Sequence, residues 1–244
     1  MKQSQFEHIK SQVYQKIELL YNVLRQVPNI DAEALGLSKK IVNNSPFINQ
    51  KERIRYTVND IIIRIPVENA KRFSKTAICD INDVELHISM DGEVNANLWG
   101  EEDKNPWQSL SFKAELKICT MGGELLLKSF HVDQIPVSDS DYKEVHPLSH
   151  VHFCEGVEGN NACMREDLPR LIHYPLDIVL GLSVALQNYA PQLFDSLCRN
   201  SNYLGLCYES QKRLLVPYFS SYADCINNDG KSDDNIKTQC PYLV

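Results

Sequence analysis

Apolar residues recur at three- and four-residue steps near both ends of the chain and at two-residue steps through its middle. Phe6, Ile9, Val13, Ile17, Leu20 and Leu24 form one stripe, which predicts an amphipathic helix over residues 4–26. Ser4 is its candidate cap, and Pro28-Asn29 stops it. A second short helix is expected over 32–42, with Asp31 as cap, ending at Asn43-Asn-Ser-Pro46. Ile61, Ile62, Ile63 and Ile65 form a β-branched run that reads as a strand covered on both faces. A helical turn is expected over 67–74. Val84, Leu86, Ile88 and Met90 then alternate with polar residues, and Asp91-Gly92 reads as a hairpin turn with Val94, Ala96 and Leu98 on the return. Leu110, Phe112, Ala114, Leu116 and Ile118 make the clearest half-buried strand. Met121-Gly122-Gly123 turns the chain into a partner strand over 125–132.

After an acidic linker at 136–142, His146–Cys154 reads as the last strand and 155–167 as a patternless loop. Pro175 is placed as the first residue of a helix that carries Ile178, Val179, Leu182, Ala185, Leu186 and Tyr189 on one face. Pro191 ends it. A last helix is expected over 208–222, bent or begun near Pro217, followed by a polar tail from 227. The order helix, sheet, helices predicts an α+β fold: an antiparallel sheet of about five to six strands, with the N-terminal helix and the C-terminal helices on one face. One domain is expected over 1–226: a helical part at 1–45, the sheet at 54–154, helices at 174–224, and a tail at 227–244.

The 244-residue length suits one large domain, and 43% hydrophobic content excludes extensive disorder. A net charge of −7 argues against a surface that binds nucleic acid everywhere. Residues 51–75 nevertheless carry seven cations against three acids, a local +4 that leaves −11 elsewhere. Arg53, Arg55, Lys71 and Arg72 are therefore candidate DNA contacts, against the alternative of solvated charge beside a strand. Eight scattered cysteines without a C-x-x-C pair suit free thiols in a reducing cytoplasm. No apolar leader or membrane span is read from the sequence, so no membrane partner is expected.

Four of the seven histidines lie between 146 and 173. On a strand, His150 and His152 share one face while Val151 and Phe153 share the other. Two such imidazoles suit a metal ion, a phosphate or acid–base chemistry, but a structural or partner-contact role at a sheet edge is the stronger expectation. His150, His152 and Asp177 are the catalytic candidates, and Arg170 is a candidate oxyanion clamp. No spacing matches an established zinc pattern, so no metal or other cofactor is expected. Were zinc or another divalent ion held, His150 and His152 would be joined by His146, Cys154 or His173, with Cys163 as a further candidate. A histidine-triad assignment is excluded, because Cys154 stands where that family carries its nucleophile. Glu115-Leu-Lys117 with Asp91 matches the residue types of a restriction-type nuclease core, but the tripeptide is common by chance and reads first as the polar half of an alternating strand.

His146-Pro-x-x-His150-x-His152-Phe153, then Pro169-Arg170, then His173-x-Pro175-x-Asp177, resembles uncharacterised bacterial proteins of genomic islands and phage-defence operons over roughly residues 144–190. The resemblance implies a small, non-catalytic subunit beside a nuclease or an ATPase, with subunits of the same operon as partners. The rival expectation is a metal-dependent hydrolase or nuclease built on the His146–His173 cluster.

Overall fold

A computed structural model of the chain describes residues 1–47, 52–67, 81–101, 104–122, 125–134, 149–158 and 171–227. The elements are α1 (Gln3–Leu24), β1 (Ile30–Asp31), α2 (Glu33–Asn43), β2 (Arg53–Arg64), β3 (Ile81–Asn95), β4 (Trp107–Thr120), β5 (Leu125–Gln134), β6 (Ser149–Glu158) and β7 (Leu171–Ile172). Helices α3 (Ile178–Tyr189), α4 (Pro191–Leu197) and α5 (Ser201–Asn227) follow. The seven strands lie side by side in chain order, and every neighbouring pair is antiparallel. Five are long and the two at the edges are two-residue strands. This is the expected α+β architecture, with helices before and after one antiparallel sheet.

Period-two patterning explains the layering. Ile54, Tyr56, Val58, Leu86, Ile88, Phe112, Ala114, Phe130, Val132 and Val151 all face one continuous apolar core. The helices supply the other side of that core. The predicted α1 stripe is buried residue for residue, with Val23 added. Helix α3 buries nearly its whole circumference, as a helix held between other elements must. Its Gly181 lies flat on the Phe112 ring: a Cβ built there would fall 2.1 Å from that ring. Lys16 and Lys39 of α1 and α2 pair with Glu209 of α5 and Glu18 of α1, linking the helices to one another.

Several expectations are corrected. Strand β3 runs straight through Asp91-Gly92 instead of turning there. Gly92 is small because Trp107 crosses it, its virtual Cβ lying 2.9 Å from that indole. The chain reverses at Ala96–Gly100 instead. The isoleucine run in β2 is not covered on both faces: a bulge between Val58 and Ile61 resets the alternation, leaving Ile62 only half-buried. Strand β6 continues to Glu158, because Leu125–Lys128 of β5 need partners and find them in Glu155–Glu158. A further short strand, β7, follows it. Helix α3 starts after Pro175, with Asp177 as its cap. Helix α5 begins at Ser201 and passes through Pro217. Ser4 lies inside α1 and caps nothing, since the helix starts at Gln3 with no side-chain cap. Asp31 does bond the Glu33 N–H at the start of α2, 3.1 Å away. Helix α1 ends at Leu24, short of the expected stop at Pro28-Asn29, and Asn29 has a φ of 68° in the turn beyond it. The expected turn over 67–74 lies outside the described residues except for Val67, the tail over 227–244 except for Asn227, and the acidic linker entirely.

The close seating of α3 predicts that Gly181→Ala destabilises the protein by roughly 1–3 kcal/mol or more through overpacking. Urea unfolding measures this. Adding Phe112→Leu should recover part of the loss, because the clash is with that ring.

Candidate functional site

Residues that alternate with the core positions form the opposite face of the sheet. Across β5 and β6 the register sets His131 opposite His152 and Asp133 opposite His150. All four side chains therefore share this face, while Phe130, Val132 and Val151 point into the core. The His131 and His152 rings lie 4.4 Å apart between centroids, and the His150 and His152 rings 4.6 Å. His150 is buried at 3% exposure. His131, Asp133 and His152 remain partly open, at 31%, 29% and 19% of their side chains.

The Asp133 carboxylate organises the patch. Ser111 Oγ of β4 donates to Oδ1 at 2.6 Å. Oδ2 faces both imidazoles, 3.7 Å from His131 Nε2 and 3.9 Å from His152 Nε2. One donor atom from each of His131, Asp133 and His152 lies within 4.8 Å of the others. An ion held at about 2.0–2.2 Å from nitrogen and oxygen donors needs them roughly 3–3.5 Å apart. The three therefore need to draw in by about 1 Å, which side-chain rotation supplies. The backing is firm: behind the patch, Phe130 meets Phe112, Phe153 and Tyr189 at 6.0–6.5 Å.

Other candidates go elsewhere. His150 and His152 do share a face, as the sequence indicates, but that face is turned away from the helices. His173 donates its backbone N–H to Ser149 O at 3.2 Å, which sets it opposite a residue that alternates with the two histidines. Its ring lies on Tyr174, with Nδ1 2.6 Å from the Tyr174 carbonyl. Burial lowers its pKa, against that bond. Asp177 caps α3: Oδ1 accepts from Val179 N–H and Leu180 N–H at 3.1 and 3.0 Å, and Oδ2 accepts from Ser210 Oγ at 2.6 Å. This is the arrangement of a structural cap, worth about 0.5–2 kcal/mol. Arg53 pairs with Glu93 at 2.9 Å and Arg55 with Asp91 at 3.6 Å, so this part of the basic segment is neutralised. His146, Cys163, Arg170, Lys71 and Arg72 lie outside the described residues, as does the side chain of Cys154. The nuclease trio does not converge. Asp91 pairs with Ser111, four residues and about 13 Å along β4 from Glu115, whose carboxylate is held by Lys113 and Lys117.

The sequence reading missed His131, Asp133, Ser111 and His87. His87 meets Asp60 at 3.0 Å through Nδ1 and Glu85 at 3.2 Å through Nε2, tying the β2 bulge to β3. The His131-Val-Asp133 spacing was visible at the end of a predicted strand, but only the register brings it to His152. Comparison with protein-family models, curated proteins and solved structures gives no match. No described helix is long and apolar enough to cross a membrane. Among the described residues Cys119, Cys198 and Cys207 are free thiols.

Burial raises the Asp177 pKa, against the bonds it receives from Leu180 and Ser210. A carboxylate whose folded pKa is raised binds its proton more tightly in the folded state. Stability from this group is thus present at low pH and is lost as pH climbs above the ordinary carboxylate value of about 3.9. Asn caps as well as Asp, so Asp177→Asn should remove that decline. In denaturant titrations, the stability of the variant relative to the native protein should rise as pH climbs above the ordinary carboxylate value of about 3.9. A flat difference would mean that Asp177 titrates alike in both states.

Proposed function

We propose that the β5–β6 patch binds a divalent transition-metal ion such as zinc through His131, His152 and Asp133, and that the protein is a metal-dependent hydrolase. The observation that carries this is the convergence of two imidazoles and one carboxylate on a single side of the sheet. Two histidines and a carboxylate leave coordination positions free, as catalytic sites do and closed structural sites do not. The outward side of the patch is where a bound water would stand, its acidity raised by the ion. Ser111 orients the carboxylate in the way outer partners orient metal ligands. His150, edge-on to His152, is the adjoining titratable group. This ligand set differs from the one expected from sequence: His152 is retained, and its companions come from β5.

Metal analysis of tag-free protein reconstituted with zinc or cobalt tests the site. About one equivalent should be retained. It should be lost in His131→Ala/His152→Ala and kept in His173→Ala. Absence of stoichiometric metal, or its persistence in the double variant, would retire the site. Metal-loaded protein that leaves a chromogenic phosphodiester intact would retire the hydrolase half alone.

A second reading is a non-catalytic accessory subunit of a bacterial, cytoplasmic multi-protein complex of the antiviral-defence type, working beside a nuclease or an ATPase. Exposed Leu204, Tyr208, Val216 and Phe219 favour it, because their spacing gathers them on one side of α5. Aromatic residues on such a surface are what subunit interfaces favour. Co-expression with the products of neighbouring genes should give one co-eluting species, dispersed by Tyr208→Glu/Phe219→Glu. Elution alone would contradict this reading. DNA contact through residues 51–75 has less support, since Arg53, Arg55 and Arg64 are all paired with acids.

A further inference from the structure

On the helical side of the molecule, away from the histidines, α1, α5 and the turn after β3 enclose an open cleft of about 380 Å³. That volume falls in the range of small-molecule sites. Its polar wall comes from Gln12, Lys16, Trp99, Asn202, Glu209 and Arg213. A narrower pocket shares Lys16, Trp99, Glu209 and Arg213 and continues inward to Asp177.

The cleft has an unusual donor balance. Two cations approach the Trp99 ring, Lys16 Nζ at 4.5 Å and Arg213 Cζ at 4.1 Å from its centroid. Arg213 donates to the Trp99 carbonyl and, at 3.3 Å, to Glu209. Lys16 also donates to Glu209. Yet Trp99 is 94% buried, and its indole N–H has no acceptor among the described residues. The Nε–H of Arg213 is buried and unmatched as well. Buried donors left unmet are costly and rare in folded proteins. Here two belong to neighbouring residues that both line one cleft. What they lack is acceptor oxygen.

We infer that this cleft binds a small molecule through an oxyanion, a carboxylate or a phosphate, seated among Lys16, Trp99 and Arg213. Arg213 and Lys16 are the residue types that grip such groups. Glu209 stands in the same place: its carboxylate is 40% exposed and serves as an internal anion that the ligand's oxyanion displaces. Gly205 forms part of the wall, and a Cβ there would meet nothing within 4 Å. The glycine is therefore not required by packing, and it leaves the cleft open. This inference is independent of the metal reading, which concerns the other face of the sheet.

The chain has two tryptophans, so Trp107→Phe leaves Trp99 as the sole reporter. Titration of that protein with inorganic phosphate and, separately, with acetate at constant ionic strength should give a saturable change in Trp99 emission. A response to one anion alone identifies which oxyanion is taken. Arg213→Gln should weaken binding roughly tenfold or more, through loss of a charge-assisted contact. Glu209→Gln should tighten it several-fold, because the internal competitor is gone; a purely structural ion-pair network gives no such gain. Gly205→Leu improves helix propensity and fills the cleft, so it should abolish the response without lowering the unfolding midpoint. Emission that stays unsaturated for both anions up to about 50 mM, a concentration that sets a very weak limit on affinity, would overturn the inference. So would an undiminished response in Gly205→Leu, or binding that Glu209→Gln weakens.

Discussion

The seating of the sheet's apolar face against α3 is the contact on which the rest of the molecule depends. Phe112 and Phe130 can meet Gly181 and Tyr189 in only one register, because slipping a strand by one residue exchanges its two faces. Each large side chain buried there contributes about 1.5–3 kcal/mol. An exposed ion pair on the far face contributes about 0–1 kcal/mol. Apolar alternation therefore decides the register. The polar constellation, with Ser111, His131, Asp133 and His152 as neighbours, is a consequence of that decision and not its cause.

This ranking also explains what could be read from the chain alone. The α1 stripe, the strand of Leu110–Ile118 and the one-sided packing were legible because burial dominates them and leaves a periodic trace. Asp91-Gly92 misled because local turn chemistry was outweighed by a tertiary demand, the passage of the Trp107 ring. Pro217 misled in the same way. Proline removes one helical hydrogen bond, but buried Leu214 before it and the approach of Phe219 to Tyr174 after it hold α5 in one piece. The histidine pair was legible as sharing a face. Its partners were not, since pairing between β5 and β6 leaves no trace in either strand taken singly.

The two sites differ in how they are built. The imidazole–carboxylate patch lies on consecutive strands and is backed by aromatic rings, so its donors are placed by backbone pairing. The cleft is assembled by side chains reaching from helices at opposite ends of the chain. Its cations are already shared between the Trp99 face and Glu209, so it is held by contacts that can be exchanged one for another.

Because the strands lie in chain order, every strand pairing joins strands that are consecutive in sequence. The helices add contacts of much longer reach: Arg213 to the Trp99 carbonyl spans 114 residues and Lys16 to Glu209 spans 193. Closing a long loop costs more chain entropy than closing a short one, and non-local contacts slow assembly. Helices α1 and α5 thus act as a clasp fastened across the apolar face of the sheet. Opening that clasp would lay bare the buried stripe of α1, so the fastening and the core are lost together.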